Sequence, residues 1–328
     1  MPSKNLTVEK LYADVKDRLQ LELLNDQASF KCVISEPDLH RPGLALSGFV
    51  DVFTYQRVQV VGNTENGYLR KMPPTEREKA IATLFMFKLP CIIITENNEL
   101  PPEFLNIATL RKTSVFRTPF KTTRLMHLLS DYLDEKFAPS VTVHGSLVDV
   151  YGIGVMFTGR SGIGKSEIAL DLVERGHRLV ADDVVHIARK AEGILIGSAN
   201  ETLKHYMEIR GVGIVDVQSI FGIRSIRLQK RIEVEVQLEE WDDNEDYERI
   251  GLDESITEIL GVEVPVVKLP IFPGKNITVI AEVLALRQLL KINGIDPAQR
   301  FNEQLINKMQ TKFKTAKYLE DYLDKDFE

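Results

Sequence analysis

Cysteine is scarce in this chain: there are two in 328 residues, Cys32 and Cys91, each inside an apolar, strand-like stretch (FKCVIS and PCIIIT). Thiols so placed exclude a disulfide-stapled scaffold and a cysteine-rich metal site, and read as buried, reduced core residues suited to a cytoplasmic protein. Long hydrophobic runs are also missing. The most apolar stretch, residues 81–94, is broken by Lys88 and Pro90, and the first twenty residues carry charges throughout, so neither a membrane span nor an export signal is expected. Positive charge is in deficit, 41 Lys and Arg against 48 Asp and Glu, for a net charge of −7, which argues against nonspecific nucleic-acid binding. Repeats and low-complexity tracts are absent. What is present is the composition of a folded protein, 44% hydrophobic and 27% charged, in a chain long enough for two domains with separate cores.

Residues 159–166 read GRSGIGKS and fit the pattern G-x-x-x-x-G-K-S/T. In that pattern glycines let backbone N–H groups close around phosphate oxygens, a lysine adds charge and a hydroxyl binds Mg²⁺. Gly159, Arg160, Ser161, Gly162, Ile163, Gly164, Lys165 and Ser166 are therefore the candidate polyphosphate-binding set. The context agrees. Residues 154–159 form a short apolar run that predicts a strand, and Ile168, Ala169, Leu172 and Val173 recur at helical spacing downstream. The competing explanation is a chance glycine-rich turn between a core strand and a core helix; the match of all four fixed positions and both flanks weighs against it.

Upstream, helical and strand-like stretches alternate: a helix over 6–24, strands at 30–35 and 57–61, and a helix opened by a capping box at Thr75 and Glu78 and ended by Pro90. A strand at 91–95, a helix at 102–110, a strand at 114–117 and a long helix at 122–137 complete it, implying an α/β layered domain. His40, Arg41 and His127 stand alone as surface or structural residues, and this half is read as regulatory or architectural. The expected division is 1–137 and 138–328, at the Pro139 turn.

In the second half, residues 141–151 predict one strand, turned at Gly152 onto the strand entering the glycine loop, which puts His144 in the neighbouring strand. Residues 176–183 predict a strand closing on Asp182 and Asp183, followed by a hairpin. Successive strand residues face opposite sides, so one carboxylate can meet a reacting hydroxyl while the other is held by a neighbour such as His144 or by metal; a solvated turn is the alternative. Glu208, in EIRGVG, is a candidate second oxygen ligand to Mg²⁺. Arg224, Arg227, Lys230 and Arg231 read as a solvated edge, with a partner site as the minority reading, and an acidic loop at 241–248 precedes Arg249. Residues 270–276 (PIFPGKN) form a rigid turn that brings a cation to a phosphate or joins a strand to the next helix, and 304–328 reads as a helix with a mobile end.

Together these residues resemble the HPr kinase/phosphorylase family of bacteria. The resemblance rests on HGSLVDVYG (144–152), GRSGIGKS, RGHRLVADD (175–183), EIRGVGI (208–214), YERIGLDE (247–254) and PGKN (273–276), and in the first half on DLHRPGLALSGF (38–49), RVQVVGNTE (57–65) and KTTRL (121–125). It implies an N-terminal α/β domain followed by a P-loop kinase-type domain with a mixed sheet. It implies ATP-dependent phosphorylation of a serine in the carrier protein HPr, reversal by phosphorolysis with inorganic phosphate, a role in carbohydrate metabolism, and a homohexamer. His144, Lys165, Asp183 and Arg249 would be catalytic, residues 159–166 would bind ATP, and Ser166 and Glu208 would ligate magnesium. Residues 207–216 would form a catalytic segment and 270–275 a loop important for phosphorolysis. The family commonly reads P-V-R-P-G-R-N where this chain has PIFPGKN, so Phe272 and Lys275 replace two arginines; Lys275 offers a mobile point charge where arginine offers a bidentate fork, and the kinase direction is expected to dominate. The rival readings are a small-molecule kinase on the same loop and a non-enzymatic nucleotide-gated regulator.

Overall fold

Val58–Val61 and Cys91–Ile94 are buried at every position and pair in parallel, Val60 opposite Ile93, as strands do when both sheet faces are covered. A computed structural model of the protein describes residues 6–27, 29–190, 193–200, 203–242, 255–272 and 274–323. Its chain divides into two compact units, Met1–Ala138 and Pro139–Glu328.

In the first unit, Ser114–Arg117 and Leu39–His40 extend the parallel pair on either side, and Glu22–Leu23 closes one edge antiparallel. Helices Val8–Leu19 and Thr122–Phe137 cover one face through Leu11, Val15, Leu125 and Leu129. Helices Asn63–Lys71, Pro74–Leu84 and Pro102–Leu110 cover the other through Leu69, Ile81 and Phe104. The expected capping box at Thr75 is not formed. Pro74 opens that helix in the first-turn position where its missing N–H costs nothing, and the helix stops at Leu84, well before Pro90. The strand expected over 30–35 is only Val33–Ile34, paired with Leu6–Thr7. Cys32 and Cys91 are free, and burial pushes the Cys91 thiol well above its usual range.

The second unit is built on a six-stranded mixed sheet, in the order Arg178–Ala181, Ser146–Val150, Ile153–Gly159, Val234–Glu240, Val262–Ile271, Ser255–Ile259. Its third, fourth and fifth strands are parallel, with Gly159 opposite Leu238 and Glu240 opposite Ile271, so their carboxyl ends share one edge. Helices Lys165–Glu174 and Ile277–Ile292 bury Ile168, Leu172, Ala281 and Ala285 against one face. Against the other packs a four-stranded sheet, Gln229–Arg231, Ile194–Ser198, Val184–Lys190, Ser140–His144, through Leu147, Met156, Val185 and Ile187.

The single strand expected over 141–151 is two strands in two sheets. At Gly145 the chain crosses between them, and a Cβ there would lie 2.5 Å from the Phe157 carbonyl oxygen, an approach only glycine permits. His144 therefore lies opposite Val184 in the four-stranded sheet, not in the strand beside the glycine loop. The basic run lies at a solvated edge as expected, with Arg224, Arg227 and Arg231 exposed and Gln229–Arg231 the outer strand of the four-stranded sheet; Arg227 also pairs at 2.7 Å with the buried Asp149, and the half-buried Lys230 pairs with Glu233. A final helix, Pro297–Leu323, starts earlier than 304. Among the described residues no helix is long and apolar enough to cross a membrane.

Candidate active site

Ligands of α/β sheets collect at the carboxyl ends of parallel strands, and there the chain leaves Ile153–Gly159 through the glycine loop. Gly159, Gly162 and Gly164 have φ of 135°, 79° and 103°, the left-handed region that side chains avoid. A Cβ at Gly162 would stand 2.5 Å from Nη1 of Arg210, so a guanidinium lies directly against the loop. Helix Lys165–Glu174 starts with no side-chain cap, leaving its first-turn N–H groups to a ligand. Lys165 Nζ donates to the carbonyls of Gly159 (3.1 Å) and Arg160 (3.0 Å), and Arg160 forms an ion pair with Glu240.

Asp182 and Asp183 sit in a bend between Arg178–Ala181 of one sheet and Val184–Lys190 of the other. Asp182 is 5% exposed and accepts a 2.5 Å hydrogen bond from Ser146 Oγ, while its Oδ2 is buried with no partner. Burial pushes its carboxyl above the usual range, opposed by the hydroxyls of Ser146 and Ser166 beside it, with the nearby Asp183 charge pushing it further up. Asp183 has φ 61° and a side chain 70% exposed; its carbonyl accepts from Gly145 N, and its Oδ1 is 4.0 Å from Nδ1 of the exposed His144. The two carboxylates thus meet opposite surroundings, but through the left-handed turn at Asp183 and not through strand alternation. Ser146 holds the buried one, and His144 neighbours the exposed one.

A buried carboxylate oxygen without a donor, beside the loop hydroxyl of Ser166, is the hard oxygen donor set that Mg²⁺ takes, so these residues fit the ion. Among the described residues no three His, Cys, Asp or Glu converge as a metal cage, so such an ion would complete its shell with water and phosphate oxygens.

The antiparallel strands Tyr206–Ile209 and Gly213–Asp216 bring up the last pieces. Met207 and Ile209 are buried in the core that holds Ile168 and Leu172, which leaves Glu208 and Arg210 on the side where the Arg210 guanidinium meets Gly162. Glu208 is exposed. At the end of Val262–Ile271, Lys275 Nζ donates to the Pro270 carbonyl at 2.9 Å and lies 5.2 Å from the Phe272 ring centroid, so it is not the mobile point charge expected. Arg249 and Pro273 lie outside the described residues. Spacing along the chain identified neither Ser146, 36 residues from the carboxylate it holds, nor the reach of Arg210 to the loop. A glycine at position 162 with no room for a side chain was the available signal for the latter.

Comparison with known proteins follows the same division of the chain. The family model described as HPr Serine kinase C-terminal domain matches residues 135–305, and that described as HPr Serine kinase N terminus matches residues 6–133. The chain belongs to the HPr serine kinase family. Within the family, it is 49% identical over 99% of its length to the HPr kinase/phosphorylase of Chloroherpeton thalassium, covering 97% of that protein. With the HPr kinase/phosphorylase of Prosthecochloris aestuarii the identity is 51% over the whole chain and 98% of the relative. The solved HPr(Ser) kinase/phosphatase of Coxiella burnetii aligns with 50% of this chain and 99% of its own at 33% identity, with a TM-score of 0.44.

Proposed function

We propose that this protein transfers the γ-phosphoryl group of ATP to a serine of HPr and reverses the transfer with inorganic phosphate. One observation carries the reading: beside the glycine loop, two adjacent aspartates are divided into a buried one with an unpartnered oxygen next to Ser166 and an exposed one next to His144. Phosphoryl transfer needs little covalent chemistry from a protein and much positioning and charge, which is what these residues supply.

In the forward direction the loop amides and Lys165 hold the β and γ phosphates, and Arg210 adds positive charge at the loop, where Arg160 is paired with Glu240. Mg²⁺, held by Ser166 with Asp182 or Glu208, would neutralise charge on those phosphates. Asp183 accepts the proton of the attacking serine hydroxyl as its oxygen bonds to phosphorus and the bond to the β-phosphate oxygen breaks. His144, with Nδ1 4.0 Å from Asp183 Oδ1, stands beside the carboxylate that meets the serine. Arg249 is assigned a catalytic role by family resemblance. In reverse, a phosphate oxygen attacks the phosphorus of phosphoserine, the bond to the serine oxygen breaks with a proton from Asp183, and the product is pyrophosphate. A homohexameric assembly and a cytoplasmic location accompany this reading.

Incubation with Mg²⁺, labelled ATP and purified HPr, followed by mapping of the phosphoresidue, tests it. Phosphoserine on HPr is expected. Label on a metabolite alone would favour a small-molecule kinase, and ATP binding without turnover a nucleotide-gated regulator. Titrating Mg²⁺ against Asp182→Asn and Glu208→Gln separates the two carboxylates, since the true ligand is the one whose loss raises the Mg²⁺ requirement.

A further inference from the structure

Phe272 leaves the end of its strand with its ring engaged on two sides. Trp241 meets it edge-on, with centroids 5.4 Å apart and planes at 74°, and the Lys275 ammonium lies 5.2 Å from its centroid while donating to Pro270 O at 2.9 Å. Trp241 is itself tied to the same strand, its backbone N–H donating to Ile271 O at 3.3 Å, and it follows Glu240, the partner of Arg160 in the glycine loop. The ring, its brace and the cation therefore stand at the shared carboxyl edge of the parallel strands. An ammonium has three donors and no acceptor. Here one donor is occupied by a carbonyl and the charge lies near an aromatic ring, an attraction that must be given up before the ammonium swings to an anion.

We propose that Phe272, braced by Trp241, is a positioning residue that holds the Lys275 ammonium back on its own turn and thereby tilts the protein toward transfer from ATP and away from capture of inorganic phosphate. This rests on the assignment of the 270–275 turn to the reverse reaction. Phe272 removes cationic charge from the turn and also restrains the charge that remains. Lys165 offers the contrast: its ammonium too donates to carbonyls of its own loop, but no ring restrains it among the described residues.

The test compares full-length Phe272→Leu, which keeps apolar bulk and loses the ring, with Phe272→Tyr, which keeps the ring. The readouts are the apparent KM for inorganic phosphate on phosphoserine-HPr and the apparent KM for ATP on HPr. Phe272→Leu is expected to lower the phosphate KM about two- to fivefold, the factor set by a partly exposed cation–π contact. Phe272→Tyr is expected to keep the wild-type phosphate KM, and Trp241→Leu to shift it in the same direction as Phe272→Leu by less. The ATP KM is expected to move less than the phosphate KM in all three. A structural disturbance does not improve phosphate use, so a lowered KM reports the release of Lys275. An unchanged or raised phosphate KM in Phe272→Leu, or loss of the wild-type value in Phe272→Tyr, overturns the proposal. Lys275→Met distinguishes the levels of failure. If it leaves the phosphate KM unaltered, the turn does not face phosphate and the assignment beneath the proposal falls with it; if it raises that KM while Phe272→Leu fails to lower it, the assignment stands and only the restraint by the ring is wrong.

Discussion

In the first unit the strand Val58–Val61 passes through Gly62 into the helix Asn63–Lys71, and in the second Ile153–Gly159 passes through the glycine loop into Lys165–Glu174. Both put a helix N-terminus at the carboxyl end of a parallel strand, and both helices carry glutamate at their third position. At Gly62 that glutamate closes the turn from inside. Glu65 Oε2 accepts the Gly62 N–H at 2.9 Å and pairs with Arg41 at 2.8 Å, and the hydroxyls of Thr95 and Thr122 share a 2.7 Å hydrogen bond. A Cβ on Gly62 would come within 2.6 Å of Thr122 Oγ1, so the space is full as well as neutralised. In the glycine loop Glu167 is exposed and caps nothing, Lys165 and the Arg210 guanidinium stand against the loop with Asp182 beside Ser166, and the helix start has no side-chain cap. A strand–glycine–helix turn is thus structural when its own helix supplies the anion, and receptive when the anion is left to arrive from outside.

The largest effect that would break this contrast is expected from the acid at the open end. Asp183→Asn should lower phosphoryl transfer in both directions by about 10²- to 10⁴-fold with ATP binding retained, the scale of a general base; if Asp182→Asn is the dead variant and Asp183→Asn is active, the two roles are exchanged. Lys165→Ala should cost about 10²- to 10³-fold in turnover without loss of fold, as removal of one preorganised charge does at a developing anion. Near-normal turnover in a folded variant would make the two helix ends equivalent. At the closed end, Glu65→Ala should cost about 1–3 kcal/mol in urea unfolding and leave transfer unchanged, because it strands Arg41 and the Gly62 N–H. Loss of activity without loss of stability would show that the first unit's turn is receptive too.

The smallest effect lies at the far end of the glycine-loop helix and shows only in acid. Glu282 there accepts from Arg175 at 2.6 Å and contacts His177 at 3.0 Å with Tyr151 nearby, and the Arg175 hydrogen bond chiefly holds its carboxyl down at about 2 from a usual 4.5. A depressed carboxylate stabilises the fold above its unfolded pKa and loses that contribution as protons bind. Glu282→Gln should therefore remove the part of the acid limb lying between pH 4.5 and 2 in a thermal-denaturation series, with turnover at neutral pH unaltered.

The layered α/β class was legible from alternating periodicities, and the strand and helix flanking the glycine loop from the apolar run before it and from Ile168, Ala169, Leu172 and Val173 after it. Local pattern carries those features because they follow from periods of two and 3.6 residues. It does not carry the crossing at Gly145, which depends on how close Phe157 of the next strand comes, nor the left-handed Asp183, a residue type that tolerates such a turn without demanding it. The restrained Lys275 was equally hidden, since its partner ring is braced from a different strand end.

The two sheets of the second unit exchange chain at two adjacent places, Gly145 and the Asp182–Asp183 bend, and a hydrogen bond from Gly145 N to Asp183 O fastens one crossing to the other at 3.1 Å. The candidate site therefore straddles a seam. Ser146 and the strand ending at Ala181 belong to one layer, His144 and Val184 to the other, and the apolar contact of Leu147 with Val185 and Ile187 behind them sets the gap between the layers. A change of one methylene in that filling shifts Ser146, which holds Asp182, relative to His144, which neighbours Asp183. Kinetics would register such a misfit before melting temperature did, so the hydrophobic filling between the sheets acts as the gauge block of the candidate site.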